Sequence, residues 1–392
     1  MKIVIDARMI NASGIGRYLR NLLEELQKLD KDNEYYILHL KSDYDTLVYH
    51  SENFRKVLAD FRWYTTAEQL RLPGILRKIN PDLVHLPHFN VPILYKGKYV
   101  VTIHDLIHQH HDSQKATTKD PVIFKIKKIA YNSVFRKAVN GSEKILTPSE
   151  FAKEQLIEEW QVDVNKIVVT PEGVDTKILT IVTKMSTSRE KEILEKFGIK
   201  KPYIFYVGNA HPHKNVEGLV IAFQMIVSRR ANVNHIGSGL ASNLGNLQLV
   251  LVGQDSVFWQ RIKQSIISLK EEIQDNIIFA GEVTDEELVV LYKNANAFVM
   301  PSFEEGFGIP ILEAMALGCP VVSSNAGSLK EVGGEAALYF DPRDLGDMGD
   351  KIEKLLTSEK LRKELIEKGK QRVKLFSWKK MAQQTLGVYN TV

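Results

Sequence analysis

Two carboxylates and a glycine loop stand close together in the stretch Asn296–Gly327, NAFVMPSFEEGFGIPILEAMALGCPVVSSNAG. Glu305 precedes Gly306 and Gly308, and Glu313 follows in the helix that we expect after the loop. Glycines let a backbone approach a ligand closely, and a helix N-terminus behind them attracts an anion such as a phosphate. Carboxylates accept hydrogen bonds from sugar hydroxyls. The alternative is structural, with Glu313 balancing the helix dipole and the glycines only forming a turn.

The elements around these carboxylates follow from short apolar runs and turn residues. The pattern predicts a strand over Ala297–Met300, a loop over Glu304–Gly308, a helix over Pro310–Leu317 and a strand over Pro320–Ser323. Proline suits the first helical position, where its missing N–H is not needed. The stretch is therefore interpreted as one strand-loop-helix-strand unit.

A histidine and an aspartate follow another expected strand, Tyr99–Ile103. His104 and Asp105 would lie at its carboxyl end, where open α/β sheets place ligands. A neutral imidazole there can hydrogen-bond a sugar hydroxyl, and Asp105 can fix its tautomer. His104 is therefore a candidate active-site residue.

Two kinds of polar cluster in the sequence have to be considered as possible metal-binding sites. His108, His110, His111 and Asp112 crowd one loop, but their spacing matches no standard ligand pattern, so a polar loop is favoured. The Asp-x-Asp pairs at Asp30–Asp32 and Asp43–Asp45 lie far from the central stretch in sequence and are interpreted as solvated turns. No metal is expected.

Strand and helix candidates alternate along most of the chain, which predicts parallel sheets covered by helices on both faces. They include Lys2–Asp6, Tyr35–Leu40, Leu70–Ile79, Leu83–Leu86, Val122–Val139, Lys144–Thr147, Ser149–Trp160, Ile167–Thr170, Tyr203–Val207, Leu249–Val252, Val257–Leu269, Ile277–Phe279 and Asp285–Lys293. Glu172–Lys200 is polar and is interpreted as an interdomain linker, and Arg229–Asn246 as an expanded loop.

The first strand is followed by Gly14 and Gly16, which we place in a loop before an amphipathic helix. A dinucleotide-binding fingerprint is rejected because Leu19 occupies the place of its third glycine.

Beyond the residues themselves, the segment EEGFGIPILEAMALGCPVVSSNAGSLKEV resembles the signature of retaining glycosyltransferases of family GT4. The resemblance is supported by VIDARMINASGIGRYL, VVTIHDL, YVGNAHPHKN and FSWKKMAQQTLGVY, so it covers nearly the whole chain. Within the family, the chain is most similar to bacterial mannosyltransferases of polysaccharide assembly. This resemblance implies the GT-B fold, an α/β architecture of two Rossmann-like doubly wound parallel-sheet domains facing a cleft.

The resemblance also implies site residues and domains. His104 would face the transferred sugar, Lys214 would bind the donor diphosphate, Glu305 the donor sugar and Glu313 the ribose. The full set implied for the donor is Gly16, Lys214, Glu282, Val283, Glu305, Gly306, Phe307, Gly308, Ile309 and Glu313, with His104 and Glu305 as catalytic residues. An acceptor-side domain over residues 1–180 would be joined by a crossing helix at 376–392, and the nucleotide-sugar domain would span 195–375.

One departure from the family concerns the loop before Lys214. The family usually adds an arginine there, whereas this chain has Asn209, His211 and His213, so one expected positive charge is absent. The rival hypothesis is therefore a catalytically weak sugar-nucleotide-binding subunit of a polysaccharide assembly complex.

Composition sets the remaining limits. The chain has 392 residues, enough for two domains, and one cysteine, which excludes a disulfide framework. Residues 51–150 carry 16 Lys and Arg against 9 Asp and Glu, so a basic first domain can meet an anionic membrane surface or present a solvated face. No apolar run has the length of a membrane span or signal-peptide core, so a cytoplasmic protein is expected, with peripheral contact at the inner face of the membrane as an option.

The expected function is transfer of a hexose from a nucleotide-diphosphate sugar, of the GDP-mannose or UDP-glucose type, with retention of configuration. The acceptor would be a saccharide or a lipid-linked saccharide. No cofactor and no nucleic-acid partner are expected.

Overall fold

A computed structural model describes residues 1–110, 121–234 and 246–392 of the chain. It contains two compact units, one formed by Met1–Glu172 with Ser377–Val392 and the other by Gly173–Phe376. The chain therefore passes into the second unit earlier than position 180, where we expected the first domain to end.

The first unit is built on a parallel sheet of seven strands, in the order β3-β2-β1-β4-β5-β6-β7. The strands are Lys2–Asp6 (β1), Glu34–His39 (β2), Phe54–Leu58 (β3), Leu83–Leu86 (β4), Tyr99–Thr102 (β5), Lys144–Thr147 (β6) and Ile167–Val169 (β7). The strand order reverses between β1 and β4, and ligands of such sheets bind outside the carboxyl ends of the strands at this point.

Six helices of the first unit are Ser13–Leu29 (α1), Lys41–Tyr44 (α2), Thr66–Ile79 (α3), Ile107–His110 (α4), Pro121–Gly141 (α5) and Glu150–Trp160 (α6). Apolar residues at helical spacing bury one face of α1, among them Leu19, Leu22 and Leu26. The Ser149 side chain accepts a hydrogen bond from the Ala152 amide at 3.1 Å, so the expected N-cap of α6 is confirmed.

The second unit is built on a parallel sheet of six strands, in the order β10-β9-β8-β11-β12-β13. The strands are Tyr203–Val207 (β8), Gln248–Val252 (β9), Ile277–Gly281 (β10), Ala297–Met300 (β11), Val321–Ser324 (β12) and Ala337–Phe340 (β13). The order reverses between β8 and β11, which are hydrogen-bonded neighbours. Both units are thus doubly wound α/β sheets, and the expected fold class is confirmed.

The helices of the second unit are Thr176–Lys184 (α7), Thr187–Lys196 (α8), Val216–Asn234 (α9), Val257–Ile266 (α10), Glu271–Gln274 (α11), Asp285–Asn294 (α12), Ile309–Ala316 (α13), Leu329–Gly333 (α14), Leu345–Thr357 (α15) and Glu359–Val373 (α16). The last helix, Trp378–Tyr389 (α17), belongs to the first unit, where it packs against α1.

Three sequence-based interpretations of local structure are wrong. The segment 172–200 is not an irregular linker, because α7 and α8 occupy most of it and both pack against α12. The expanded loop does not begin at Arg229, because α9 continues to Asn234, while the rest of that loop up to residue 245 lies outside the described residues. Gly14 and Gly16 do not lie in a loop, because α1 begins at Ser13.

None of the helices within the described ranges combines the length and the apolar character that a membrane span needs.

Candidate functional site

The loops after β8 and β11 leave the second sheet at the point where its strand order reverses. A turn of 3-10 helix, Pro212–Lys214, lies in the first loop, and the second loop leads from Met300 into α13. A backbone hydrogen bond of 2.7 Å from the Phe303 N–H to the His213 carbonyl joins the two loops. The fold therefore brings Lys214 and the Glu305 loop together at the ligand-binding edge of the sheet.

Asn215 locks the first loop in place behind Lys214. Its backbone is left-handed, with φ at 54°, a conformation that asparagine tolerates better than most residues. Its side-chain amide is buried and donates hydrogen bonds of 3.1 Å to the carbonyls of Pro301 and Pro342. Because these bonds fix the residue after Lys214, the start of the lysine side chain is held beside the second loop.

The ammonium of Lys214 contacts the carboxylate of Glu305 directly. Nζ lies 2.7 Å from Oε1 and 2.8 Å from Oε2, and the two side chains are only 17% and 9% exposed. The Ser302 hydroxyl donates a further hydrogen bond of 2.6 Å to Oε1 of Glu305. A buried carboxylate needs such partners, because an unpaired buried charge costs several kcal/mol.

The glycine loop is held from behind by Ser328. The Ser328 hydroxyl lies 2.9 Å from the carbonyls of both Glu305 and Phe307. Gly308 has φ at 108°, a left-handed conformation that a residue with a side chain rarely adopts, and α13 begins directly after it at Ile309. The loop therefore leads directly into a helix N-terminus, as the sequence predicted.

Glu313 is buried inside α13, with 1% of the residue exposed. The Tyr292 hydroxyl of α12 donates a hydrogen bond to its Oε2 at 3.2 Å. Binding of both Glu305 and Glu313 to one ligand stays a prediction.

Phe307 is also buried and packs edge-on against Phe376, with ring centroids 5.7 Å apart.

Glu282 is exposed and Val283 half-buried in the loop after β10. Thr284 then caps α12, since its side chain and that of Glu287 each bond the other's backbone N–H.

Gly16 lies in the first unit, in the first turn of α1, which follows β1. A Cβ atom there would lie 2.4 Å from the Ile10 carbonyl oxygen, so no side chain fits without moving the backbone. The residue therefore has a structural reason to be glycine, and its expected role near the donor stays a prediction.

His104 follows β5 in the first unit, and its imidazole is held on three sides. Nδ1 lies 3.3 Å from Oε1 of Glu172, Nε2 lies 3.1 Å from the Pro87 carbonyl oxygen, and the Tyr18 ring packs edge-on at 4.9 Å between centroids. The Asp105 carboxylate accepts a hydrogen bond of 3.0 Å from the Ile107 amide. The carboxylate that the structure shows at Nδ1 is therefore Glu172, whereas the sequence interpretation gave that role to Asp105.

Glu172 and Tyr18 were missed by the sequence analysis. Glu172 follows β7 as His104 follows β5, and both strands end at the ligand-binding edge of the sheet. Because Glu172 lies shortly after a predicted strand, its position in the sequence could have marked it as a candidate site residue. Its pairing with His104 depends on the strand order, which the sequence pattern does not give.

A group of buried hydrogen bonds lies beneath Tyr18, the residue that packs against His104. His85 of β4 is fully buried between the Tyr389 hydroxyl at 2.5 Å and the Thr102 hydroxyl at 2.8 Å. The Tyr18 hydroxyl lies 3.1 Å from the same Thr102 oxygen. Burial lowers the pKa of His85 to about 3, so this ring is neutral at physiological pH.

The clusters considered as metal sites have other contacts. His110 pairs with Glu159 at 2.9 Å, and His111 and Asp112 lie outside the described residues. Asp30 and Asp43 are buried, which corrects their interpretation as solvated; Asp30, for example, accepts a hydrogen bond of 2.6 Å from the Tyr35 hydroxyl. Within the described ranges, no three His, Cys, Asp or Glu side chains form a group that could hold a metal ion.

Comparison with known families matches both halves of the chain. The model described as "Glycosyltransferase Family 4" matches residues 12–178, and the model described as "Glycosyl transferases group 1" matches residues 189–372. The second match contains Lys214, Glu305 and Glu313, and the first contains His104 and Glu172.

Individual relatives resemble the chain over much of its length. O-antigen chain mannosyltransferase B of Escherichia coli is 28% identical over 99% of both chains. O-antigen chain mannosyltransferase RfbU of Salmonella typhimurium is 29% identical over 72% of this chain and 67% of its own. Among solved structures, Anabaena Alr3699/HepE in complex with UDP superposes with a TM-score of 0.72 at 13% identity, over 100% of both chains.

Proposed function

We propose that this chain, which belongs to the group 1 glycosyl transferases of family GT4, transfers mannose from a nucleotide-diphosphate sugar to a saccharide acceptor with retention of configuration. Mannose and a polysaccharide product are proposed because two relatives that match 99% and 72% of the chain are named as O-antigen chain mannosyltransferases. GDP-mannose is the donor that we expect first, and UDP-glucose is the alternative.

The observation that carries this proposal is the contact between Lys214 and Glu305 at the start of the glycine loop. It places a cation and a hydrogen-bond acceptor within 2.8 Å of each other, beside the backbone that leads into α13. A nucleotide-diphosphate sugar presents the matching groups, since its phosphates are anionic and its sugar carries hydroxyls. We therefore place the diphosphate at Lys214 and the helix N-terminus, and the sugar at Glu305.

In the reaction, the bond between the sugar C1 and the diphosphate oxygen breaks, and its electron pair leaves with the diphosphate. An acceptor hydroxyl oxygen forms the new bond to C1 on the same face of the ring, and its proton passes to the leaving diphosphate. Lys214 and the N–H groups around Gly308 stabilise the negative charge that grows on the leaving group. Glu305 favours the positive charge that grows on the sugar ring.

The remaining site residues divide between the nucleotide and the sugar. Glu313 would accept hydrogen bonds from the ribose hydroxyls, and the backbone of Glu282 and Val283 would contact the base. In the first unit, His104 would orient the transferred sugar, and Gly16 would lie near the donor.

Two further proposals concern the surroundings of the reaction. We propose that transfer needs no divalent metal, because Lys214 and the N-terminus of α13 stabilise the negative charge of the diphosphate. We also propose a cytoplasmic location with peripheral contact to the inner membrane surface, supported by the excess of Lys and Arg over residues 51–150.

The test is to incubate the purified protein with GDP-mannose, UDP-glucose and UDP-N-acetylglucosamine, with and without saccharide acceptors. We expect release of the nucleoside diphosphate from GDP-mannose in preference to the other two, and a product whose anomeric proton shows retention by NMR. Donor binding with neither transfer nor slow hydrolysis would favour the rival, a sugar-nucleotide-binding subunit. Absence of donor binding would refute both.

A further inference from the structure

We propose that Tyr64 binds the saccharide acceptor, with a pyranose ring of the acceptor stacked on the tyrosine ring. As an acceptor site, this assignment rests on the proposed function. Binding of a saccharide at Tyr64 is a separate property, which is measured without any transfer reaction.

Tyr64 combines exposure with a strained backbone. Among the aromatic residues whose exposure the structure describes, it is the one exposed over more than half of its surface, at 54%. Its φ is 59°, a left-handed conformation that is an outlier for a bulky residue. The other described non-glycine residues with such an angle, Asn80, Gln161 and Asn215, end helical segments, where this conformation is common. Tyr64 ends no helix, and strain of this kind persists at ligand sites where the surrounding structure imposes it.

A buried ion pair holds the backbone of Tyr64 in this conformation. The Tyr64 N–H donates a hydrogen bond of 3.0 Å to Oε2 of Glu68, whose residue is fully buried. Arg8 donates to Oε1 of the same carboxylate at 2.6 Å and also to Asp6, the last residue of β1. The Asn90 side-chain amide donates a further hydrogen bond to Oε2 of Glu68. The strained tyrosine is thereby tied to the carboxyl end of β1.

Tyr64 lies at the ligand-binding edge of the first sheet. Its hydroxyl oxygen lies 3.3 Å from both ring nitrogens of His88, and the two rings meet edge-on with centroids 5.7 Å apart. His88 follows β4, which pairs with β1 at the point where the strand order reverses. The carbonyl of the preceding residue, Pro87, accepts a hydrogen bond of 3.1 Å from Nε2 of His104. The segment after β4 therefore contacts both Tyr64 and His104, so the tyrosine continues the site at which we place the transferred sugar.

The chemistry of this surface fits a sugar ring. One face of a pyranose presents C–H groups, which pack on an aromatic ring, and its edge carries hydroxyls, which need hydrogen-bond partners. The tyrosine ring, its hydroxyl and the His88 imidazole supply both kinds of contact. A nucleotide base also stacks on tyrosine, but the nucleotide is assigned to Lys214 and Glu313 in the second unit. The acceptor saccharide is therefore the ligand that the reaction leaves for Tyr64.

The experiment compares Tyr64→Gly with Tyr64→Phe. Glycine adopts the left-handed conformation without strain but has no ring, whereas phenylalanine keeps the ring. Binding of methyl α-mannoside, methyl α-glucoside and methyl β-galactoside is titrated by saturation-transfer-difference NMR without any donor. We expect the wild type and Tyr64→Phe to bind at least one of these glycosides, and Tyr64→Gly to bind it about 10-fold more weakly or less, because a stacking contact is lost. No binding by the wild type, or equal binding by Tyr64→Gly, would overturn the inference.

Thermal unfolding separates this role from packing of the tyrosine within the unit. Tyr64→Gly should melt close to the wild type, because relief of the strain offsets the greater freedom of glycine in the unfolded chain. If the ring instead served to hold His88 and Phe89, whose centroids lie 5.7 and 6.1 Å from its own, Tyr64→Gly should melt lower. A lower melting temperature with unchanged saccharide affinity would assign the ring to packing and overturn its role as a binding residue.

A matched control removes another exposed side chain from a loop of the same unit. Val48 is 69% exposed in the loop before β3, so Val48→Gly should keep the wild-type saccharide affinity. Weaker binding in this variant as well would assign the effect to a general disturbance of the unit and overturn the role of Tyr64.

Two further measurements identify the ligand and the reaction. Affinity for GDP and UDP should be the same in Tyr64→Gly and the wild type; its loss would show that the ring stacks on a base and would overturn the saccharide assignment. With GDP-mannose as donor, Tyr64→Gly should raise the KM for the acceptor more than it lowers kcat. Saccharide binding that depends on Tyr64 in a protein that transfers no sugar would keep this site and overturn only the proposed function.

Discussion

Lys214 and Glu305 form an ion pair in which Nζ lies 2.7 Å from one carboxylate oxygen and 2.8 Å from the other. The two residues are far apart in sequence and meet because β8 and β11 are neighbours in the sheet. In this arrangement, the lysine charge is already partly neutralised before any phosphate arrives. A diphosphate must therefore share Lys214 with Glu305 or displace it.

We predict that Lys214→Met weakens binding of the nucleoside diphosphate about 10- to 100-fold, since it removes a charge-assisted contact of about 1.5 to 3 kcal/mol. The same change removes the lysine from the buried Glu305 carboxylate, which keeps the hydrogen bond from the Ser302 hydroxyl. Because a buried charge then lacks its counter-ion, the free energy of unfolding should fall by about 2 kcal/mol. Titration calorimetry and denaturant unfolding measure the two effects. The double variant Lys214→Met/Glu305→Gln should recover stability but not affinity; recovery of both would remove Lys214 from the phosphate site.

A second prediction concerns Glu313. Glu313→Gln should weaken nucleotide binding by about 1.5 to 3 kcal/mol, because an amide is a poorer acceptor for the ribose hydroxyls than a carboxylate. Calorimetry on the folded variant measures this loss, with Glu335→Gln as the control from an exposed position of the same unit. Equal affinities in the two variants would assign Glu313 to the core, where Tyr292 already satisfies one of its oxygens.

The local structure around the central motif could be predicted from sequence, but the contacts of its residues could not. The strand Ala297–Met300 is confirmed, and α13 begins one residue before its predicted start, because glycine and proline mark that boundary strongly. The helix α8 was missed because it is polar on most of its surface, with Ile193 as its buried residue. Glu172 and Pro87 beside His104, and Lys214 beside Glu305, follow other strands of the two sheets. These contacts depend on sheet order, which no local pattern encodes.

A third prediction is that transfer proceeds without a divalent metal. Addition of EDTA should leave the rate of the purified protein unchanged, because the diphosphate charge is met by Lys214 and the N-terminus of α13. The rate is measured before chelation, after chelation and after addition of manganese. Loss of activity on chelation and its return with manganese would show that this assignment of the phosphate site is wrong.

The fourth prediction links His85 to acid stability. Burial lowers the pKa of this ring from 6.5 to about 3, so the unfolded chain binds a proton below pH 6.5 that the folded unit does not. The stability is therefore intact above pH 6.5 and falls as the pH drops toward 3, by about 2 kcal/mol at pH 5 for this group. His85→Gln should lose less stability than the wild type between pH 7.5 and pH 5.

Hydrogen exchange of the β4 amides, corrected for intrinsic rates, measures this difference within the first unit. His50 is exposed, so His50→Gln should keep the wild-type pH dependence. If His85→Gln and the wild type lost the same stability on acidification, the buried neutral state of His85 would not be a source of acid sensitivity.

The last prediction separates the two roles that His104 can have. If its imidazole orients the transferred sugar as charge develops, His104→Ala should lower turnover by about 10² to 10³, or about 3 to 4 kcal/mol of barrier. Nucleotide affinity should stay nearly constant, because Lys214 and Glu313 belong to the second unit. If the histidine only closes the end of β5 through its contacts with Pro87 and Glu172, the substitution should instead lower thermal stability and leave the rate per folded molecule intact. Measuring rate, nucleotide affinity and melting temperature on one preparation, beside His50→Ala, distinguishes these outcomes, and near-normal turnover in His104→Ala would remove it from the catalytic residues.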